Sequence, residues 1–232
     1  MRSLSHKPSS FLEPFAGGGI VSLTVAFENL AEKVVMVELD NDIAAVWQTI
    51  LGGDAKWLGE RIVRFDLTVE SAKAELANDS QTIRDRAFRT ILKNRVYHGG
   101  IMAHGSSMIR FGENGKGIKS RWYASTLQRR IEDIDGVRQH IEFIEGNALP
   151  VMERFAKQKN VAVFIDPPYT AAGKKAGSRL YKHNELDHER LFEIAASLRG
   201  DFLMTYDDAD GVKQMAARHG FDTELIAMKN TH

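Results

Sequence analysis

The chain has 232 residues, balances 31 Lys and Arg against 31 Asp and Glu, is 43% hydrophobic and contains no cysteine. That length suits one domain with an inserted lobe, and the lack of cysteine excludes disulfides, thiolate metal sites and cysteine nucleophiles. No run of about 18 apolar residues is present, so no membrane span is expected. The opening MRSLSHKPSS has no apolar signal region, so a cytoplasmic protein is expected.

In chain order, FLEPF (11–15) reads as a buried strand, IVSLTVAFENL (20–30) as a helix, VVMVEL (34–39) as a second strand and NDIAAVWQTIL (41–51) as a second helix. The alternation then stops. Residues 68–96 read as two helices, 97–123 are glycine-rich with a hairpin expected at ENGKG, and STLQRRIEDI (125–134) reads as a further helix. Alternation resumes with strands IEFIEG (141–146), VAVFID (161–166) and DFLMTY (201–206), separated by helices ALPVMERFAKQ and DHERLFEIAASLRG. FDTELIAMKNTH (221–232) reads as one more strand, with the partner strand of that edge expected to be missing. Strands alternating with helices predict an α/β, doubly wound, Rossmann-like sheet that binds ligands at the carboxyl ends of its strands. Residues 1–67 and 137–232 would form that sheet domain, and 68–136 an inserted lobe.

The overall charge balance hides an asymmetry. Between Arg84 and Arg130, eleven Lys or Arg face only Asp85 and Glu113, a net +9 that leaves −9 for the rest. A block of one sign inside a neutral chain points to a polyanion partner.

Gly17, Gly18 and Gly19 lie between the first strand and the first helix, where missing Cβ atoms let backbone approach a ligand. A tight turn alone would also accept three glycines. Glu38 ends the next strand, near the spacing at which an acid accepts hydrogen bonds from ribose hydroxyls. Val21 and Ser22 stand where a dinucleotide motif places its third glycine. An adenosyl ligand without pyrophosphate, S-adenosylmethionine, suits the turn better.

VAVFIDPPYT carries the sharpest chemistry. Asp166 and Pro167 could simply start a helix, but that leaves Pro168 and Tyr169 unexplained. Asp-Pro-Pro-Tyr at a strand end suits methylation of a planar exocyclic amine, whose lone pair is delocalised into its ring. The Asp166 carboxylate and a backbone carbonyl, that of Pro167, can each accept one amino hydrogen and draw the nitrogen toward tetrahedral. Pro168 stiffens the turn, and Tyr169 would stack on the ring. A base inside a duplex must flip out to be reached. Cytosine C5 methylation, which needs a cysteine nucleophile, is excluded.

With EPFAGGG (13–19), VELD (37–40), KNRVYHGG (93–100), EGNALPVM (145–152), DPPYT (166–170) and LDHERL (186–191) in this order, the chain resembles the Dam-like class of adenine-specific DNA methyltransferases. The resemblance implies methyl transfer from S-adenosylmethionine to the N6 amino group of adenine in double-stranded DNA, in a bacterial or phage-encoded enzyme that serves restriction–modification, a phage or housekeeping. It implies donor contacts from Phe15, Ala16, Gly17, Gly18 and Gly19, from Glu38 and Leu39, from Asn147 and Ala148 beside the adenine of the donor, and from Asp166. The inserted lobe would recognise the target, with Asn94, Arg95, Arg110, Lys116, Lys119 and Arg121 meeting DNA and Tyr181 helping to enclose the flipped base.

The pattern departs from the class at three places. Asn147 stands where the class often has Asp, the Asn-Arg element continues as VYHGG, and the ten residues before FLEPF do not hold the N-terminal Trp and Gly-Gly-Lys motif. Methylation of RNA or of a protein glutamine, and an inactive DNA-binding module, are the alternatives. No metal site is expected: His183 and His188 flank Asp187 at a spacing that does not share one helix face, and Asp187 reads as a helix cap. Trp122 and Tyr123 either stack on bases or pack the core of the lobe, packing being favoured. The oligomeric state is unknown.

Overall fold

Period-two burial writes the sheet. In the computed structural model, which describes residues 7–79, 82–100, 106–112, 115–168 and 186–226, the strands are β1 (Ser10–Glu13), β2 (Lys33–Glu38), β3 (Ile141–Glu145), β4 (Val161–Ile165) and β5 (Asp201–Met204). They form one parallel sheet in the order β3-β2-β1-β4-β5. Successive side chains point to opposite faces. Phe11, Val34, Met36 and Ala162 enter one core layer; Leu12, Val35, Val37, Val163 and Ile165 enter the other.

Helices cover both faces. On the first lie α1 (Ile20–Phe27) and α2 (Asn41–Thr49), which bring Val25, Ala26 and Trp47. Elements α3 (Ala55–Arg64), α4 (Val69–Leu76), α5 (Ile83–Val96) and α6 (Ala124–Val137) follow in the chain. The second face is covered by α7 (Ala148–Phe155) and α8 (His188–Ser197), through Val151, Met152, Leu191 and Ile194. A last helix, α9 (Asp210–Arg218), packs Val212 and Met215 on Phe192. The architecture is the expected doubly wound α/β fold.

Between β2 and β3 the chain builds a separate helical core. Leu58 and Ile62 of α3, Phe88 and Leu92 of α5, and Leu127 and Ile131 of α6 meet in it, and the cluster reaches back to Ala45 and Ile50. The chain turns from α2 into α3 through a π turn, Ile50–Asp54, in which Gly53 takes φ 98°. Trp122 packs against this core, edge-on to Phe65, whereas Tyr123 is exposed.

Two local expectations are corrected. Residues 221–226, read as the start of a strand, pair with no strand in the described residues. Gly220 in the left-handed region ends α9, the Phe221 N–H donates to the Ala216 carbonyl, and the Phe221 ring stacks on Phe192 and meets Phe202 of β5 edge-on, so the segment is held by side-chain packing and not by strand pairing. The remainder, 227–232, lies outside the described residues, as do Glu113 and Asn114 of the expected hairpin. The described flank of that hairpin is not a strand, since Gly117–Arg121 coils as a 3₁₀ turn. Ile118 and Ser120 are buried there, and the Gly117 N–H closes the loop onto the Phe111 carbonyl. Before the loop, Met108 makes a single antiparallel bridge to Tyr97.

Candidate active site

β1 lies between β2 and β4, so the chain leaves β1 in one direction and later returns on its other side. At such a reversal the loops of two neighbouring parallel strands diverge and open a crevice at their carboxyl ends. The glycine turn follows β1 and Asp166–Pro168 follows β4, so the two main candidate motifs flank that crevice. Glu38 ends β2 and Asn147 follows β3 on the same edge of the sheet.

The three glycines differ. A Cβ on Gly19 would come within 2.5 Å of the Met36 methyl and 2.8 Å of the Trp47 ring, and its φ is +62°. The core therefore keeps Gly19 bare. A Cβ on Gly17 or Gly18 would meet no atom of the described residues within 4 Å, so among these residues nothing opposes a ligand beside their backbone. The Gly17 carbonyl accepts from the Trp47 indole N–H at 2.9 Å, and the Ala16 N–H donates to the Val37 carbonyl at 2.9 Å. Ala16 is buried, and half-buried Phe15 packs on the second face of the sheet.

No side chain at the glycine turn caps α1. Glu13, at the end of β1, does so from a distance: its buried carboxylate accepts the Ser22 N–H at 2.8 Å. A negative charge suits a helix N-terminus. Burial still pushes the Glu13 carboxyl above the usual carboxylate range, the Ser22 hydrogen bonding opposing and the nearby Asp166 charge adding to the rise. Sequence reasoning gave Glu13 no role. A polar residue ending an otherwise apolar strand was the available signal.

Glu38 is held by backbone. Its two carboxylate oxygens accept from the N–H groups of Gly17 and Asp40 at 2.9 and 2.8 Å. The Leu39 N–H also bonds to this carboxylate, which leaves about one of its four lone-pair directions for a ligand hydroxyl. Burial raises the Glu38 pKa, and the backbone donors oppose that rise. Leu39 is 45% exposed beside it, an apolar surface on the edge of the crevice. Asn147 caps α7 by accepting the Leu149 N–H at 2.9 Å, and Ala148 is buried.

Asp166 is exposed at the end of β4, ahead of buried Pro167 and half-buried Pro168. The Thr205 hydroxyl donates to Asp166 Oδ1 at 2.5 Å. Asp187 caps α8 as expected, accepting the Arg190 N–H at 2.9 Å. Tyr169 and Tyr181 lie outside the described residues.

In the lobe, the candidate DNA-contacting residues separate into two sets. Arg110, Lys116 and Lys119 are exposed, Lys119 standing 4.0 Å from Asp66. The Asn94 amide instead donates to the Gly100 carbonyl at 3.1 Å, and the Arg121 guanidinium to the Tyr97 carbonyl at 3.2 Å. These two fasten the loop that leaves α5. Half-buried Arg95 lies near Arg121 and Arg130, and burial with their charges lowers its pKa. Sequence reasoning also missed Phe111, which is 84% exposed next to Arg110.

A family model of the D12 class N6 adenine-specific DNA methyltransferases matches residues 2–229. The chain belongs to that family. This methyltransferase acts on the N6 amino group of adenine in DNA, and the family match favours that substrate over RNA or a protein glutamine. Among solved structures it is similar to the rRNA methyltransferase AviRa from Streptomyces viridochromogenes, at 11% identity and a TM-score of 0.40, over 88% of this chain and 68% of that one. No curated protein matches it. None of the described helices is long and apolar enough to cross a membrane, and the described residues contain no group of three or more potential metal ligands.

Proposed function

We propose that the methyl donor of this methyltransferase is S-adenosylmethionine and that Asp166 and Pro167 activate the adenine amine. The observation that carries this reading is the placement of the open Gly17–Gly18 backbone and of Asp166 at the ends of two hydrogen-bonded strands, β1 and β4. The residues fit such a donor. Gly17 and Gly18 leave room beside the backbone, Glu38 offers an acceptor for a ribose hydroxyl, and Phe15, Ala16, Gly19, Leu39, Asn147 and Ala148 complete the wall. When bound, S-adenosylmethionine supplies an electrophilic methyl carbon on its sulfonium.

The amine needs help because its lone pair is shared with the purine ring. Asp166 accepts one amino hydrogen and the Pro167 carbonyl the other, which pulls the nitrogen out of the ring plane and localises the pair. Asp166 or solvent then takes the proton released on methylation. Flipping adenine from the duplex costs a few kcal/mol, and stacking on an aromatic, Tyr169 in this reading, offsets about 1–3 kcal/mol of that. Tyr181 would close over the base. Residues 1–67 and 137–232 catalyse, and residues 68–136 bind double-stranded DNA. There Arg110, Lys116 and Lys119 touch phosphates, Arg95 and Arg121 lie behind them, and Phe111 offers an apolar face to the grooves.

Labelled-methyl transfer to DNA, RNA and protein tests the assignment. Asp166→Ala should retain DNA binding while turnover falls at least about a hundredfold. Retained turnover would refute the role of Asp166, and a wild-type protein that binds no S-adenosylmethionine would identify an inactive DNA-binding module.

A further inference from the structure

Asp166 can accept an amino hydrogen in a useful direction only if its carboxylate plane is fixed, and Asp166 is exposed at a strand end. The register of β4 and β5 pairs Ile165 with Met204, so the next residues, Asp166 and Thr205, are neighbours across the two strands. Thr205 prolongs the ladder past β5, its N–H donating to the Ile165 carbonyl at 2.9 Å. Its hydroxyl donates to Asp166 Oδ1 at 2.5 Å. That length suits an O–H donor on an ionised carboxylate.

We infer that Thr205 is a positioning residue for the methyl-transfer step: its hydroxyl fixes the rotation of the Asp166 carboxylate so that a remaining lone pair faces the amino hydrogen of the flipped adenine. This rests on the activating role proposed for Asp166. The chemistry is economical. An ionised carboxylate has about four lone-pair directions, and the Thr205 hydroxyl takes one of them. Thr205 is β-branched, with few χ1 choices, and its backbone is tied into the ladder. Together these help to fix the orientation of the Asp166 carboxylate.

The test replaces the hydroxyl by a methyl group of similar shape. Thr205→Val should lower kcat about 10- to 100-fold, the range for losing a hydrogen bond to a charged group. KM for DNA, donor affinity and Tm should stay unchanged. Thr205→Ser, which keeps the donor, should restore most of kcat, and Thr205→Ala should match Val. In an Asp166→Asn background, Thr205→Val should cost little more, because both act through one group. Full kcat in Thr205→Val, or a loss shared equally by Ser and accompanied by a lower Tm, would overturn the inference. Normal turnover in Asp166→Asn would instead remove the reading of Asp166 on which it stands.

Discussion

At the scale of single residues, the glycine turn divides by what opposes a side chain. Gly19 faces Met36 and Trp47, and Gly17 has φ +49°, whereas Gly18 is exposed with open space around it. Gly18→Ala therefore meets no atom of the described residues within 4 Å, so the added methyl should be felt mainly by a ligand at the turn. Its melting temperature should match wild type while S-adenosylmethionine affinity, read by calorimetry, falls about tenfold or more. Gly19→Ala should behave in the opposite way, costing about 1–3 kcal/mol of stability through overpacking with or without donor. Equal donor affinity in Gly18→Ala and wild type would place the donor away from this turn. The triplet was legible as a turn between β1 and α1. The different reason for Gly19 was not, because Met36 and Trp47 reach it from β2 and α2, and only the fold brings them there. Asn94 is a similar case. The Asn-Arg pair in the sequence suggested contact with DNA, but its hydrogen bond to Gly100 exists only once the loop has turned back.

At the scale of elements, α1 depends on a carboxylate outside itself. Glu13 caps it at Ser22 from β1, and burial raises the Glu13 pKa. The folded state then holds a proton on Glu13 more tightly than the unfolded chain does. By linkage, this group's contribution to stability is fully present below the ordinary carboxylate pKa and declines as pH rises through the raised folded value. Glu13→Gln keeps an oxygen acceptor for the Ser22 N–H without the ionisation. Its stability relative to wild type should increase from mildly acidic to neutral pH, measured by denaturant unfolding across that range. A constant difference would mean that Glu13 is not buried as an ionisable group. The five strands were legible because buried parallel strands read as apolar runs. Helices α3 and α9 were not read. Gly52 and Gly53 precede α3, and the π turn carries the chain through them. The 221–226 segment alternates like a strand, yet the aromatic packing of Phe221 on Phe192 and Phe202 decides its path.

At the scale of the whole molecule, charge is sorted by task. The sheet edge that carries the crevice is acidic, with Glu13, Glu38, Asp40 and Asp166, and a cationic donor and a neutral base suit such an edge. Phosphates do not, and the +9 between Arg84 and Arg130 is their natural counterpart. Binding should therefore release counterions from DNA through the lobe, and the logarithm of the affinity should fall linearly with the logarithm of salt. Replacing Arg110, Lys116 and Lys119 by Gln should flatten that slope by about 0.9 for each phosphate no longer neutralised, so by close to 3 in the triple variant if each side chain neutralises one. These side chains are exposed, so Tm should hold, and donor binding should hold with it. Arg121→Gln should behave differently, because its guanidinium holds the Tyr97 carbonyl: affinity would fall through loss of loop shape, with a smaller change in slope than in affinity. Fluorescence titrations of a short duplex over a range of salt concentrations would separate the two effects. An unchanged slope in the triple variant would move the DNA interface away from the 110–119 loop.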